Sequence, residues 1–121
     1  MARINVNLED VEGGFKVYPD DKYIVEIQES SKVKKSDAGA YILWIGKIQE
    51  GEFEDGMISW NTSLQPQALW NLKAMLEAVD VAWDEDGFEM EDCFGKTLIV
   101  KNEVRQYKGE DRNNISEYYK A

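Results

Sequence analysis

The alternation of apolar and polar positions divides the chain into short strands around one helix. In residues 22–34, KYIVEIQESSKVK, Tyr23, Val25 and Ile27 share one parity while Glu26, Gln28 and Ser30 share the other. That is the pattern of a strand buried on one face. Residues 40–49, AYILWIGKIQ, are apolar on both parities, as in a central strand covered on both sides. Gly46 interrupts the run, and a strand-interior glycine predicts a bulge or the close approach of another backbone. Met57–Leu64 reads as the next strand, Phe94–Val104 and Asn114–Tyr119 as two more, and Phe15–Tyr18 as a short one near the start. Turns are expected at Pro19-Asp20-Asp21, Ser36–Gly39, Gly51–Gly56 and Lys108–Asp111. Residues 66–79, PQALWNLKAMLEAV, are the one helical segment. Pro66 suits its first position, and Leu69, Leu72, Leu76 and Val79 form its apolar stripe, with Trp70 at the stripe's edge. Residues 1–14 read as a polar arm ending in Gly13-Gly14. Residues 80–93 read as an acidic loop whose Trp83 folds back on the body.

Three strands linked by hairpins, then a helix, then two strands predict a mainly β protein, a small barrel carrying one helix. Among barrels this order matches the oligonucleotide/oligosaccharide-binding (OB) fold, a five-stranded antiparallel Greek-key barrel with its helix between strands three and four. One such domain over residues 15–121 accounts for the chain. That fold places nucleic acid across its second and third strands, which here carry Trp44 and Trp60.

The length of 121 residues suits one domain. The single cysteine, Cys93, rules out an internal disulfide and fits a reducing cytoplasm. No window has the ~18 apolar residues of a membrane helix, and the N-terminus has no apolar signal core. The net charge of −10 argues against nonspecific polyanion binding by the molecule as a whole. Its distribution changes that picture. Residues 76–93 hold eight acids and no base, whereas residues 32–47 hold four lysines against Asp37 alone. Residues 94–121 hold six bases and four acids. A basic groove beside an acidic bulge fits this asymmetry, and so do ordinary solvated faces.

Catalytic chemistry finds little purchase. There is no histidine, and none of the phosphate-loop, dinucleotide or nucleophile-elbow motifs is present. Aligning Gly87 with the glycine of a calcium loop puts Ala82 and Cys93 at the two key ligand positions, so that motif fails. A metal-dependent nuclease would rest on the acidic loop alone. The expectation is a non-enzymatic domain with no cofactor and no metal.

Single-strand binders set aromatic rings under the bases and cations along the backbone. The candidates here are Trp44, Trp60 and Tyr107 as rings, with Lys32, Lys34, Lys35, Lys47, Arg105, Lys108 and Arg112 as cations. Trp44, between Leu43 and Ile45, also fits a core position; Trp60 has Ser59, Asn61 and Thr62 around it. If the hairpin turns about Phe53 and Glu54, Lys47 lies opposite Trp60 on one face. Lys32 and Lys34 share one side of their strand. Tyr107, between Arg105 and Lys108, has the most binding-like setting.

The KYIVEIQES strand, the SKVKKSDAGAYILWI hairpin, the ALWNLKAMLEAV helix, the GKTLIVKNEV strand and the ending YKGEDRNNISEYY together resemble the small phage-encoded single-stranded-DNA-binding proteins. The resemblance covers about residues 15–119. It implies an OB barrel that coats single-stranded DNA with little sequence preference in phage replication or recombination, in the cytoplasm of an infected or lysogenic bacterium. It also implies replication or recombination proteins as partners, and homo-oligomers are compatible with it. Many such proteins end in an acidic tail; this chain ends EYYKA, so partner recruitment falls to the acidic loop 80–92. The competing expectation is an acidic interaction module, an inhibitor or DNA mimic that docks on a basic host protein.

Overall fold

The computed structural model describes residues 16–121; the polar arm read at 1–14 lies outside them. The protein is mainly β, as expected: six antiparallel strands form one sheet, and one α-helix follows the fourth. The strands are β1 (Asp21–Ile27), β2 (Lys32–Ser36), β3 (Gly39–Ile48), β4 (Met57–Ser63), β5 (Thr97–Tyr107) and β6 (Glu110–Lys120), with α1 at Leu69–Ala78. The short strand expected at Phe15–Tyr18 is not formed over its described residues, 16–18. No helix among the described residues is long and apolar enough to cross a membrane.

β3 is the hub. One edge pairs with β4 from Tyr41↔Ser63 to Lys47↔Met57. The other edge pairs with β2 along its first half and with β1 along its last residues. The long strand expected over 22–34 is therefore broken at 28–31 into β1 and β2, which makes six strands of the five expected. The break is a turn in which the Ser31 amide donates to the Gln28 carbonyl (3.1 Å). Ser31 is buried, and its hydroxyl accepts from the Ile45 amide at 2.8 Å, satisfying a β3 donor that has no strand partner there.

β1 continues the sheet to β5, and β5 to β6. The last hairpin is longer than the alternation suggests. It runs to a two-residue turn, Lys108-Gly109, with φ of 52° and 81°. Left-handed values at both central residues match the right-handed twist of the flanking strands. β6 returns close to β4, and α1 packs against both, so the sheet curls into a barrel with the helix at its seam.

Even-numbered residues of β3 and β4 point inward: Ile42, Trp44, Ile48, Ile58, Trp60 and Thr62 are buried. Trp44 has no exposed surface, and its indole N–H donates to Thr62 Oγ1 at 2.9 Å. Trp60 lies directly across from Trp44 and donates to the Met75 sulfur of α1 at 3.5 Å. Gly46 makes room for it, since a Cβ there would stand 2.9 Å from Trp60 Cζ3 and from Val25 Cβ. The bulge or close backbone approach expected at this glycine is replaced by a close approach of side chains.

On α1 the buried stripe is Leu72, Met75, Leu76 and Ala78, continued by Val79. Leu69 and Trp70, expected on or beside that stripe, are 42% and 65% exposed. Residues 66–68 form a 3₁₀ turn, so the α-helical phase starts at Leu69 and leaves the first two side chains outward.

Candidate nucleic-acid interface

The two tryptophans expected as stacking platforms are corrected by the burial. Trp44 and Trp60 face each other inside the barrel, each with its N–H satisfied, and no base can reach them. The register explains why. The hairpin turns earlier than expected, with Asp55 N–H donating to Ile48 O at 2.8 Å, so Lys47 faces Met57 and not Trp60. That is a slip of three residues. An odd slip moves a side chain to the other face of the sheet, here from solvent to core. Lys47 instead lies 3.5 Å from Asp55.

The remaining candidates form two groups at opposite ends of the barrel. At one end, Lys32 and Lys34 do share a face, as expected. They sit beside Leu43 and Tyr41 respectively, and those residues sit beside Asn61 and Ser63 of β4. This outward row of a ring, an aliphatic side chain, two lysines and small polar residues crosses the second and third strands of the expected barrel. Tyr41 and Leu43 are half-buried. The sequence does not single them out, because an uninterrupted apolar run hides which parity faces out. Lys35 pairs with Ala40 and points to the opposite side, so it leaves the group.

At the other end stands the β5–β6 tip. Arg105 lies directly opposite Arg112, and Tyr107 follows on the same outward face. The Tyr107 ring is 56% exposed, with the Arg112 guanidinium 5.2 Å from its centre and the Lys108 ammonium 5.4 Å away. All four residues expected here are thus gathered in one place. Like charges facing each other across strands are destabilising. The cost is moderated by Glu103, 3.2 Å from Arg105, and Glu110, 3.6 Å from Arg112. Such exposed pairs are worth about 0–1 kcal/mol and yield readily to another anion. Lys108 holds a left-handed φ that a residue with a Cβ adopts at a cost of roughly 1–2 kcal/mol.

The base of the tip is rigid. Asn102, 1% exposed, donates from Nδ2 to the Tyr18 carbonyl (2.9 Å) and to Asn113 Oδ1 (3.1 Å), while its Oδ1 accepts the Asn114 amide (3.0 Å). Asn113 Oδ1 also accepts the Tyr18 amide, and its Nδ2 donates to the Lys16 carbonyl. Just beyond, Val104 N–H donates to Asp20 Oδ1 at 2.6 Å. Next to this clamp, Lys101 is committed to Glu117 (3.3 Å) and Glu103 (3.4 Å). The hydrogen bond to Glu117 raises the Lys101 ammonium above its ordinary pKa, and Lys101 in turn holds Glu117 below the usual carboxylate range.

Two other chemistries gain no support. Burial pushes the Cys93 thiol up to about 11, with Asp92 adding to the push, so at neutral pH it is not a nucleophile. Among the described residues no three carboxylates or thiols are gathered within reach of one metal ion. Comparison of the chain with protein-family models and with curated proteins returns no match.

Proposed function

We propose that this domain binds single-stranded nucleic acid with little sequence preference. The β5–β6 tip acts as the principal grip, and the outward row of Tyr41, Leu43, Lys32 and Lys34 extends the track. The observation that carries the reading is the tip itself. An exposed tyrosine is flanked by cations on a hairpin tied down at its base, where two arginines face each other at the expense of stability. Tyr107 offers a face for a base, and Arg105 and Arg112 offer guanidinium groups for phosphate. Such groups sense backbone charge and base surface, neither of which carries sequence. The resemblance to phage-encoded binders supports DNA as the ligand, with replication or recombination as the setting.

The test is fluorescence anisotropy of a labelled 30-nucleotide single strand at 50 and 200 mM salt, since a barrel of this kind covers about 4–16 nucleotides. Wild type binds at the lower concentration and weakens steeply at the higher. The R105Q/R112Q double variant flattens the slope of log affinity against log salt by about 1.4, at roughly 0.7 for each phosphate that is no longer neutralised. An unchanged slope removes the tip from the interface. Absence of binding at 50 mM salt ends the proposal.

A further inference from the structure

The opposite end of β6 carries a surface that nucleic-acid binding does not use. Two indoles lie open to solvent on the helix side of the molecule, Trp70 at 65% and Trp83 at 44%. Trp83 walls a shallow groove of about 450 Å³ at the C-terminal end of α1, floored by Leu76 and Val81 and edged by Glu77, Asp80 and Lys120. Trp70 and Glu77 are seven residues apart on α1, so they lie on one outward row about 10.5 Å apart. Lys73 and Ala74 stand between them on that row, so the apolar surface open at the groove itself is Trp83, above the nearly buried Leu76 and Val81. An exposed tryptophan beside a groove is the kind of side chain that anchors a protein partner.

The charge around the groove decides what partner. Residues 77–92 contain Glu77, Asp80 and six further acids over 84–92, and no base. Lys120, the base at the groove, is held 2.8 Å from Asp80. Donating a hydrogen bond to the Asp80 carboxylate raises the Lys120 ammonium pKa, so it stays charged as an internal counter-ion. The groove thus repels phosphate and attracts cations.

We infer that this groove docks a lysine- or arginine-rich protein segment that inserts one large apolar side chain against Trp83. The inserted side chain packs along Trp83, above the nearly buried Leu76 and Val81. The segment's cations meet Glu77 and the 84–92 acids, which steer the encounter and set its salt dependence. Fold and charge separate this surface from the β5–β6 tip, the principal grip proposed above. Lys120 and the Glu110 end of β6 are ten residues apart, roughly 33 Å along the strand. A segment in the groove therefore leaves the tip open.

The test uses full-length protein and two fluorescein-labelled synthetic peptides, KKWKKLKK and the all-lysine octamer. The prediction is saturable binding of KKWKKLKK at 100 mM salt, at least tenfold tighter than the octamer, with Trp83→Ala removing that difference. R105Q/R112Q leaves KKWKKLKK binding unchanged. Backbone amide shifts on titration report the site whatever the variant's stability. Changes confined to residues 76–92 and 120 support the groove. Changes spread over all acidic surfaces, or equal affinity for the two peptides, overturn it. Concentration-dependent broadening of those same amides without peptide would make a second copy of the chain the occupant and overturn the assignment to a basic segment.

Discussion

At the scale of single residues, the indole pair at the centre of the barrel decides what the interface is not. Trp44 and Trp60 are directly opposed, and both indole N–H groups find internal acceptors, so the rings are structural. Trp60→Ala is expected to cost about 3–5 kcal/mol in urea unfolding, the range for emptying a large aromatic site in a core. DNA affinity per folded molecule should be unchanged. A variant of near-native stability with weakened DNA binding would return Trp60 to the surface. The sequence around it, Ser59-Trp60-Asn61-Thr62, is polar enough to suggest exposure. What it does not encode locally is that Thr62 shares Trp60's parity and spends its hydroxyl on Trp44. Nor does it show that Gly46, fourteen residues earlier, is small because Trp60 lies over it. Both facts depend on register, which the hairpin turn sets. Tyr107 is legible for the converse reason: its cationic neighbours are close in sequence as well as in space.

At the scale of elements, the period-2 and period-3.6 patterns make the strand order and the helix readable, and the departures have local causes. The 22–34 strand reads as continuous because Val33 resumes the parity of Tyr23, Val25 and Ile27, yet the alternation lapses over the all-polar Gln28–Ser31 and the chain turns there. One buried hydroxyl replaces the missing ladder bond to Ile45. Ser31→Ala should leave that amide without a partner and cost about 1–3 kcal/mol. The check is urea unfolding together with hydrogen exchange at Ile45, whose amide should lose protection relative to its β3 neighbours. Protection retained at Ile45 would mean that another acceptor serves it. The β5–β6 hairpin reads shorter than it is because Gln106–Arg112 has a polar, turn-like composition. Its length comes from the Lys108-Gly109 turn and from the Asn102–Asn113 clamp at its base. Those two asparagines are eleven residues apart, so nothing in either strand's own alternation shows that they meet. The clamp ties the base of the hairpin to the body of the barrel, and the candidate interface projects from that base.

At the scale of the whole molecule, the proposed binding of a polyanion has to be squared with a net charge of −10. Separation from the acidic run is one part of the answer. At the tip itself Arg105, Lys108 and Arg112 stand among Glu103, Glu110 and Asp111, and the exposed pairings to Glu103 and Glu110 must yield to phosphate. Glu77 and Asp80 sit at the C-terminal end of α1, near Lys120, and the 84–92 acids follow them in the chain, whereas the arginine-tyrosine tip sits at the other end of β6. Some 33 Å along that strand is about three screening lengths at 0.1 M salt, so each end acts on its ligand nearly alone. At low ionic strength the two fields overlap, and the acids oppose nucleic acid over a longer range. The same geography predicts an optical result. Two of the four tryptophans are sealed in the core, and the other two stand on the helix side, away from the tip. Saturating single-stranded DNA should therefore leave tryptophan emission unchanged even as anisotropy reports full binding. A basic peptide in the groove should shift the emission through Trp83, and the shift should vanish in Trp83→Ala. Strong tryptophan quenching by DNA would mean that the strand reaches the helix face or that the barrel opens to admit a base. Either outcome would move the interface off the β5–β6 hairpin.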